Sequence, residues 1–285
     1  MPELPEVETI KNDLRATVLG RRIVGVYVID PRLVVYPSLR EFEAGLQGQE
    51  IVGVDRRAKY LLIRLSSGKI LVVQLMVTGQ LLLVSPEEPR KKSTRLLFDL
   101  DDGRQLRLND ASHLARMNLV DESELNQRLP LAELGPEAIS DEFTLDYFRS
   151  KLQGTRRQIK ALLLDQRVVS GIGNIYADES LFAARIHPLR PASSLSPDEI
   201  ERLYHSIRSI LKAAIALRGT TTRSYRDVLG RKGGYQALLK VVARAGRPCI
   251  GCPGIVEKIL AAGRETYYCP SCQKLGEGGN RERAA

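Results

Sequence analysis

The chain opens Met-Pro-Glu-Leu-Pro-Glu-Val-Glu, which puts a proline at position 2, behind the initiator methionine, and acids at positions 3 and 6. A small second residue permits methionine removal, and that would expose the Pro2 ring nitrogen as a secondary amine. Such an amine adds to an aldehyde carbon and yields a cationic iminium, an electron sink. Val7, Ile10 and Leu14 recur on one stripe of a helix expected to begin at Leu4. The positive end of that helix disfavours protonation of the amine. Glu3 and Glu6 fall in its first turn, where carboxylates suit the dipole and can shuttle protons. Prolines and acids are also ordinary helix starters, so composition alone leaves both readings open.

The second reactive grouping is at the other end. Cys249 and Cys252, then Cys269 and Cys272, form two C-x-x-C pairs separated by sixteen residues. Two such knuckles can bring four thiolates to the corners of a tetrahedron around one structural zinc. The alternative, two disulfides, needs an export signal that the acidic, proline-bearing amino terminus does not resemble. Lys258 and Arg264 lie between the knuckles and could face a phosphate, or simply solvent.

These groups need scaffolds. Over residues 22–120, short apolar runs alternate with turn signals: Ile23 to Val28, Tyr60 to Leu65 and Ile70 to Val73 read as strands. Ser66-Ser67-Gly68 and Asp101-Asp102-Gly103 supply tight turns between them, predicting an antiparallel sandwich or barrel. Helical spacing follows over 145–151, 157–164, 175–184 and 197–216, the last behind a Ser196-Pro197 start. Residues 219–247 have no clear period and read as a mobile loop. The expected organisation is a β-sandwich over 1–125, a linker over 126–140, and a helical domain over 141–240. A four-cysteine zinc finger over 241–275 and a disordered tail over 276–285 complete it. The fold class is α+β, multidomain.

A net charge of +9 suits a polyanion partner, or a merely solvated basic surface. No apolar run reaches the roughly 18 residues of a membrane span, because Gln74, Thr78, Gly79 and Gln80 interrupt the best candidate. The expectation is a cytoplasmic monomer with no membrane role. His113, His187 and His205 show no metal-like grouping and read as structural.

The amino-terminal run resembles the start of the formamidopyrimidine-DNA glycosylase and endonuclease VIII family. The likeness continues through Arg56-Arg57-Ala58-Lys59-Tyr60-Leu61, Ser170-Gly171-Ile172-Gly173-Asn174-Ile175-Tyr176-Ala177 and Ile186-His187-Pro188 to the cysteines. This resemblance implies a β-sandwich joined to a helix-two-turn-helix domain and a zinc finger, with damaged DNA between them and the lesion flipped out. It implies a bacterial, nucleoid-associated enzyme of base excision repair, combining N-glycosyl hydrolysis with abasic-site lyase activity. By the same likeness Pro2 is the nucleophile at C1′, Glu3 the acid/base and Glu6 a supporting carboxylate. Lys59, Asn174 and Arg264 match phosphate ligands, and the loop after Gly219-Thr220-Thr221 matches a region that closes over an extruded base.

The chain departs from the family at the void left by the flipped base. Where a methionine, an arginine and a phenylalanine are usual, the alignment puts Val77, Ser112 and Leu114, with Met76 the methionine if the loop shifts by one. Gln74 stands where a histidine is common. Short side chains offset little of the few kcal/mol that unstacking costs, so weak 8-oxoguanine excision is expected, with duplex, bubble or single-stranded DNA as substrate. Two rival readings remain: a non-catalytic zinc-finger protein binding damaged DNA on the same fold, and an RNA-binding zinc ribbon.

Overall fold

The computed structural model describes residues 1–275, so the expected tail at 276–285 lies outside the described residues. The chain divides into two compact units. Met1–Glu133 with Ala214–Gln236 makes the first, and Leu134–Ala213 with the described residues from Ala237 onward makes the second.

In the first unit, helix α1 (Leu4–Thr17) leads into β1 (Ile23–Val28), β2 (Val34–Tyr36), α2 (Leu39–Leu46) and seven further strands. These are β3 (Ile51–Arg57), β4 (Tyr60–Leu65), β5 (Lys69–Gln74), β6 (Gln80–Val84), β7 (Thr94–Leu100), β8 (Gln105–Asn109) and β9 (Arg116–Asp121), followed by the short α3 (Leu125–Arg128). Two sheets result, one in the order β1-β7-β8-β6 and one in the order β2-β9-β5-β4-β3. All pairs are antiparallel except β2 with β9. The sandwich core takes Leu61 and Ile63 from β4, Leu71 and Val73 from β5, Phe98 from β7 and Leu108 from β8. Val7, Ile10 and Leu14 insert the apolar stripe of α1 into the same core, so hydrophobic burial fixes the helix whose amino end carries Pro2. Helix α2, opened by a Ser38–Glu41 capping box, escaped the strand pattern because it covers only two turns.

In the second unit lie α4 (Leu145–Leu152), α5 (Ile159–Leu164), α6 (Asn174–Ala183) and, as far as Ala213, α7 (Pro197–Ala216). The hairpin β10 (Glu257–Ala261) and β11 (Arg264–Tyr268) sits among the cysteines. Helix α5 starts two residues later than its periodicity suggests.

Residues 214–236 correct the sequence expectation in two ways. They pack with the sandwich rather than with the helical domain, and they are pinned rather than loose. Tyr225 and Val228 enter the sandwich core, and the Leu83 amide donates to the Val228 carbonyl at 2.8 Å. Arg218 reaches the Asp13 carboxylate at 2.6 and 2.7 Å and Asp227 at 2.6 Å. Burial opposes the charge on Asp227, but Arg218 and Arg231 outweigh it and hold that carboxyl below its ordinary range. No 3.6-residue period marks this stretch because its structure comes from scattered polar contacts. Replacing Arg218 with alanine leaves two buried carboxylates short of their cation. We expect a loss of about 2 kcal/mol in urea unfolding, with proteolysis of the free protein moving into 219–233.

Candidate active site and nucleic-acid interface

The amino-terminal site is built on the first turn of α1. Glu3 is the extended N-cap residue, Pro5 sits in the first turn, and Pro2, Glu3 and Glu6 are all buried. A carboxylate at this end offsets the four amide N–H groups that a helix leaves unpaired. Glu6 uses both oxygens: Oε2 accepts from the Glu3 amide at 2.8 Å and Oε1 from the Thr220 amide at 2.7 Å. The peptide unit directly after Pro2 is thereby tied to a segment more than two hundred residues away.

Gly219 makes that tie possible. Its φ is +79°, and a Cβ there would lie 2.8 Å from Glu6 Oε1 and 2.9 Å from Glu6 Cγ. Only a residue without a side chain meets both demands. Beneath it, burial and the neighbouring Glu6 charge raise the Tyr225 phenol, which stays neutral and donates to the Arg218 carbonyl at 3.2 Å.

Lys59 lies in the two-residue turn between β3 and β4, preceded by Ala58 at φ +51°. Arg56 sets the position of that turn. Its Nε donates to Glu8 Oε2 at 2.8 Å and its Nη1 to the Ala58 carbonyl at 2.9 Å, so α1 and the Lys59 turn share one guanidinium. Burial raises the Glu8 carboxyl, but Lys11 and Arg56 outweigh it and leave the group below its usual range.

Val77, Ser112 and Leu114, the three residues expected at the void, fall on two loops of the same unit, residues 75–79 and 110–115. Gly79 closes the first with an amide bond to the Leu75 carbonyl at 3.0 Å. Asp110 ties the two together. Its Oδ1 accepts from the Thr78 and Ser112 hydroxyls, and its Oδ2 accepts from the Leu114 and Ala115 amides at 2.8 Å each. Burial opposes the Asp110 charge, but these donors prevail and keep its carboxyl below the ordinary range. Met76 sits at φ +51°, and Met76, Val77 and Leu114 all present apolar side chains to solvent. Gln74 ends β5 hydrogen-bonded to the Tyr60 phenol.

In the second unit, Asn174 is the first residue of α6, behind Gly173 as N-cap. Its Nδ2 donates to the Glu265 carbonyl at 2.8 Å, linking the helix start to the residue after Arg264. Arg264 is exposed at the start of β11, while Lys258 on β10 pairs with Glu265 at 2.9 Å. A buried ion pair seats this hairpin: Lys160 Nζ lies 2.6 Å from Asp178 Oδ1 and donates to Thr266 Oγ1 at 2.6 Å. Asp178 Oδ2 accepts from the Tyr267 amide at 2.9 Å. Burial pushes the Asp178 carboxyl up, to about 7, against the pull of Lys160. His187, lowered to about 4 by burial, is neutral and packs edge-on against Tyr268, as expected of a structural histidine.

The four cysteine sulfurs lie within 4.8 Å of one another, with Cys249 and Cys272 Sγ 3.7 Å apart and Cys252 and Cys269 Sγ 3.5 Å apart. Sulfurs held at about 2.3 Å from one tetrahedral zinc stand about 3.8 Å apart, so the set fits that ion and is far too open for disulfides. The Gly251 and Gly254 amides each approach a sulfur at 3.4 Å, which suits thiolates carrying charge.

Comparison with known proteins agrees with this geometry. The formamidopyrimidine-DNA glycosylase N-terminal domain matches residues 1–117 and the corresponding H2TH domain matches residues 134–226. The chain belongs to the formamidopyrimidine-DNA glycosylase family. Within that family it is 43% identical over 275 residues to the formamidopyrimidine-DNA glycosylase of Pelotomaculum thermopropionicum, covering 96% of this chain and 100% of the relative. The corresponding protein of Symbiobacterium thermophilum is 45% identical over 278 residues, 98% of this chain and 91% of its own. Among solved structures, a point mutant of Lactococcus lactis FPG bound to a Fapy-dG containing DNA superposes with a TM-score of 0.90 at 34% identity, covering 96% of this chain and 100% of that one. Its complex with an abasic site containing DNA gives a TM-score of 0.90 at 34% identity over 95% and 99% of the two chains. Among the described residues, no helix is long and apolar enough to cross a membrane.

Sequence reasoning alone missed Arg56 as a positioning group, and likewise Asp110, Gly219 in contact with Glu6, and the Lys160–Asp178 pair. Of these only Asp110 left a local trace, in the turn-forming run Asn109-Asp110-Ala111-Ser112. Gly20 offers an internal control for Gly219, because it has a similar φ of +76° and nothing within 4 Å of its missing Cβ. Gly20→Ala should cost about 1 kcal/mol from backbone strain alone, and Gly219→Ala about 2–3 kcal/mol, both read by urea unfolding.

Proposed function

We propose that the protein is a bifunctional DNA glycosylase and abasic-site lyase of base excision repair, acting as a monomer on damaged DNA. After loss of Met1, the Pro2 lone pair attacks C1′ of a flipped nucleotide. The C1′–N bond breaks, and the base leaves with a proton. Ring opening at O4′, assisted by Glu3 as acid, gives the iminium. Loss of a C2′ proton then expels the 3′ phosphate, and a second elimination can expel the 5′ phosphate. Glu6 holds the peptide unit that follows Pro2, while Lys59, Asn174, Arg264 and Lys258 engage phosphates. The cysteines hold a structural zinc that supplies cross-linking energy to a hairpin with little core of its own.

The observation that carries this reading is the Pro2-Glu3-Glu6 cluster. Its members are buried at the positive end of α1, and Glu6 spends both oxygens on orienting the chain beside the proline. A protein that only bound DNA would have no use for a carboxylate committed there. The short side chains at Val77, Ser112 and Leu114 favour altered lesion specificity, since they fill little of the gap beside the orphaned base. A second reading, a non-catalytic binder of damaged DNA, draws on those same three residues.

Borohydride trapping on abasic DNA separates the readings. A covalent adduct should form and should vanish when Met1 is retained with its formyl group; no adduct from protein with a free Pro2 would establish the binder. In a lesion panel, 8-oxoguanine opposite cytosine should be released at least about tenfold more slowly than abasic DNA is cleaved; equal rates would refute the altered specificity. Stripping metal with a chelator should abolish hydrogen-exchange protection across β10 and β11 while leaving the β-sandwich amides protected.

A further inference from the structure

His113 stands between Ser112 and Leu114, in the left-handed region at φ +56°, a conformation that histidine tolerates better than most residues. Its ring bridges three segments. Nδ1 lies 2.7 Å from Asp30 Oδ2, and Nε2 lies 2.8 Å from Arg95 Nη2 on β7. Arg32 Nη2 is 2.8 Å from Nδ1 but has its own acceptor, Asp30 Oδ2, at 2.8 Å. A guanidinium has no lone pair to offer, so Nε2 must be the bare, accepting nitrogen; a carboxylate only accepts, so Nδ1 must carry the proton. Both neighbours select one tautomer of the neutral ring. A proton on Nε2 would set a cationic imidazolium against the Arg95 guanidinium, donor against donor and charge against charge.

The same Arg95 supports the loop backbone, with Nε donating to the Asp110 carbonyl at 2.9 Å and Nη1 to the Lys92 carbonyl at 3.2 Å. Asp110 in turn holds the Ser112, Leu114 and Ala115 amides. The remaining charged group near the ring is Arg116 on β9, whose Nη1 donates to the His113 carbonyl at 3.4 Å.

We propose that His113 is a positioning residue: bridging Asp30 through Nδ1 and Arg95 through Nε2, it locks the loop carrying Ser112 and Leu114. Because those two residues occupy the void positions, this rests on the functional reading above for its consequence in DNA, though not for the lock itself.

Two measurements test it. Long-range proton–nitrogen spectra of the free protein should show His113 with Nδ1 protonated and Nε2 bare at neutral pH. In His113→Gly the Ser112 and Leu114 amides should shift and lose hydrogen-exchange protection. The opposite tautomer, or amides that ignore the substitution, would overturn the lock whatever the enzyme does. The second uses a duplex carrying a tetrahydrofuran abasic analogue, which cannot be cleaved, with 2-aminopurine opposite it. The enhancement of 2-aminopurine fluorescence on binding should fall about tenfold in His113→Gly, the weight of one charged hydrogen bond. In His113→Asn, which tolerates the left-handed backbone and can donate toward Asp30 and accept from Arg95, most of the response should return. An equal loss in both variants would sink the proposal. A failed borohydride trap alongside the expected tautomer would instead remove the catalytic reading and leave the lock standing.

Discussion

One carboxylate governs the amino-terminal site. Glu6 is buried, and each of its oxygens receives a backbone amide at the electropositive end of the helix, an arrangement that favours the charged form. A buried anion with its donors in place resists displacement, since any rotation leaves an uncompensated charge away from water. The peptide unit after Pro2 is therefore fixed by electrostatics, while the rest of α1 is fixed by burial of Val7, Ile10 and Leu14. The two act together: hydrophobic packing places the helix to within its rotational freedom, and the Glu6 bonds remove what freedom remains.

The same logic recurs at each place where a loop must present a side chain. Arg56 spans Glu8 and the turn of Lys59, Asp110 spans two loops, and Lys160 with Asp178 spans α5, α6 and the zinc-finger hairpin. In every case a charged group with several hydrogen-bonding valences replaces the apolar core that a short loop cannot build. Such pairs contribute more to uniqueness than to net stability, because desolvation consumes much of their Coulomb attraction. That is an acceptable exchange where a phosphate ligand or an exposed apolar tip has to point in one direction.

Much of this was legible along the chain. The strands at 23–28, 60–65 and 70–73, the helix beginning at Leu4, and the helix over 197–216 follow from periods of two and 3.6, since one face of each element is buried. The cysteine cluster follows from spacing alone. Helix α2 and the segment 214–236 did not yield to pattern. The helix is too short to declare a period, and the segment takes its order from partners such as Asp13, Leu83 and Glu6 that lie far away in sequence.

By itself the sequence determined which titratable and metal-ligating groups exist and which elements carry them. Those are properties of residue type and local spacing. Only the tertiary structure decided how each group is held: that Gly219 is required by Glu6 as well as by its left-handed backbone, that segment 214–236 belongs to the sandwich, and that His113 lies between Asp30 and Arg95. Each of these depends on the direction of a hydrogen bond between residues remote in the chain, and direction is set only when the backbone has closed around them.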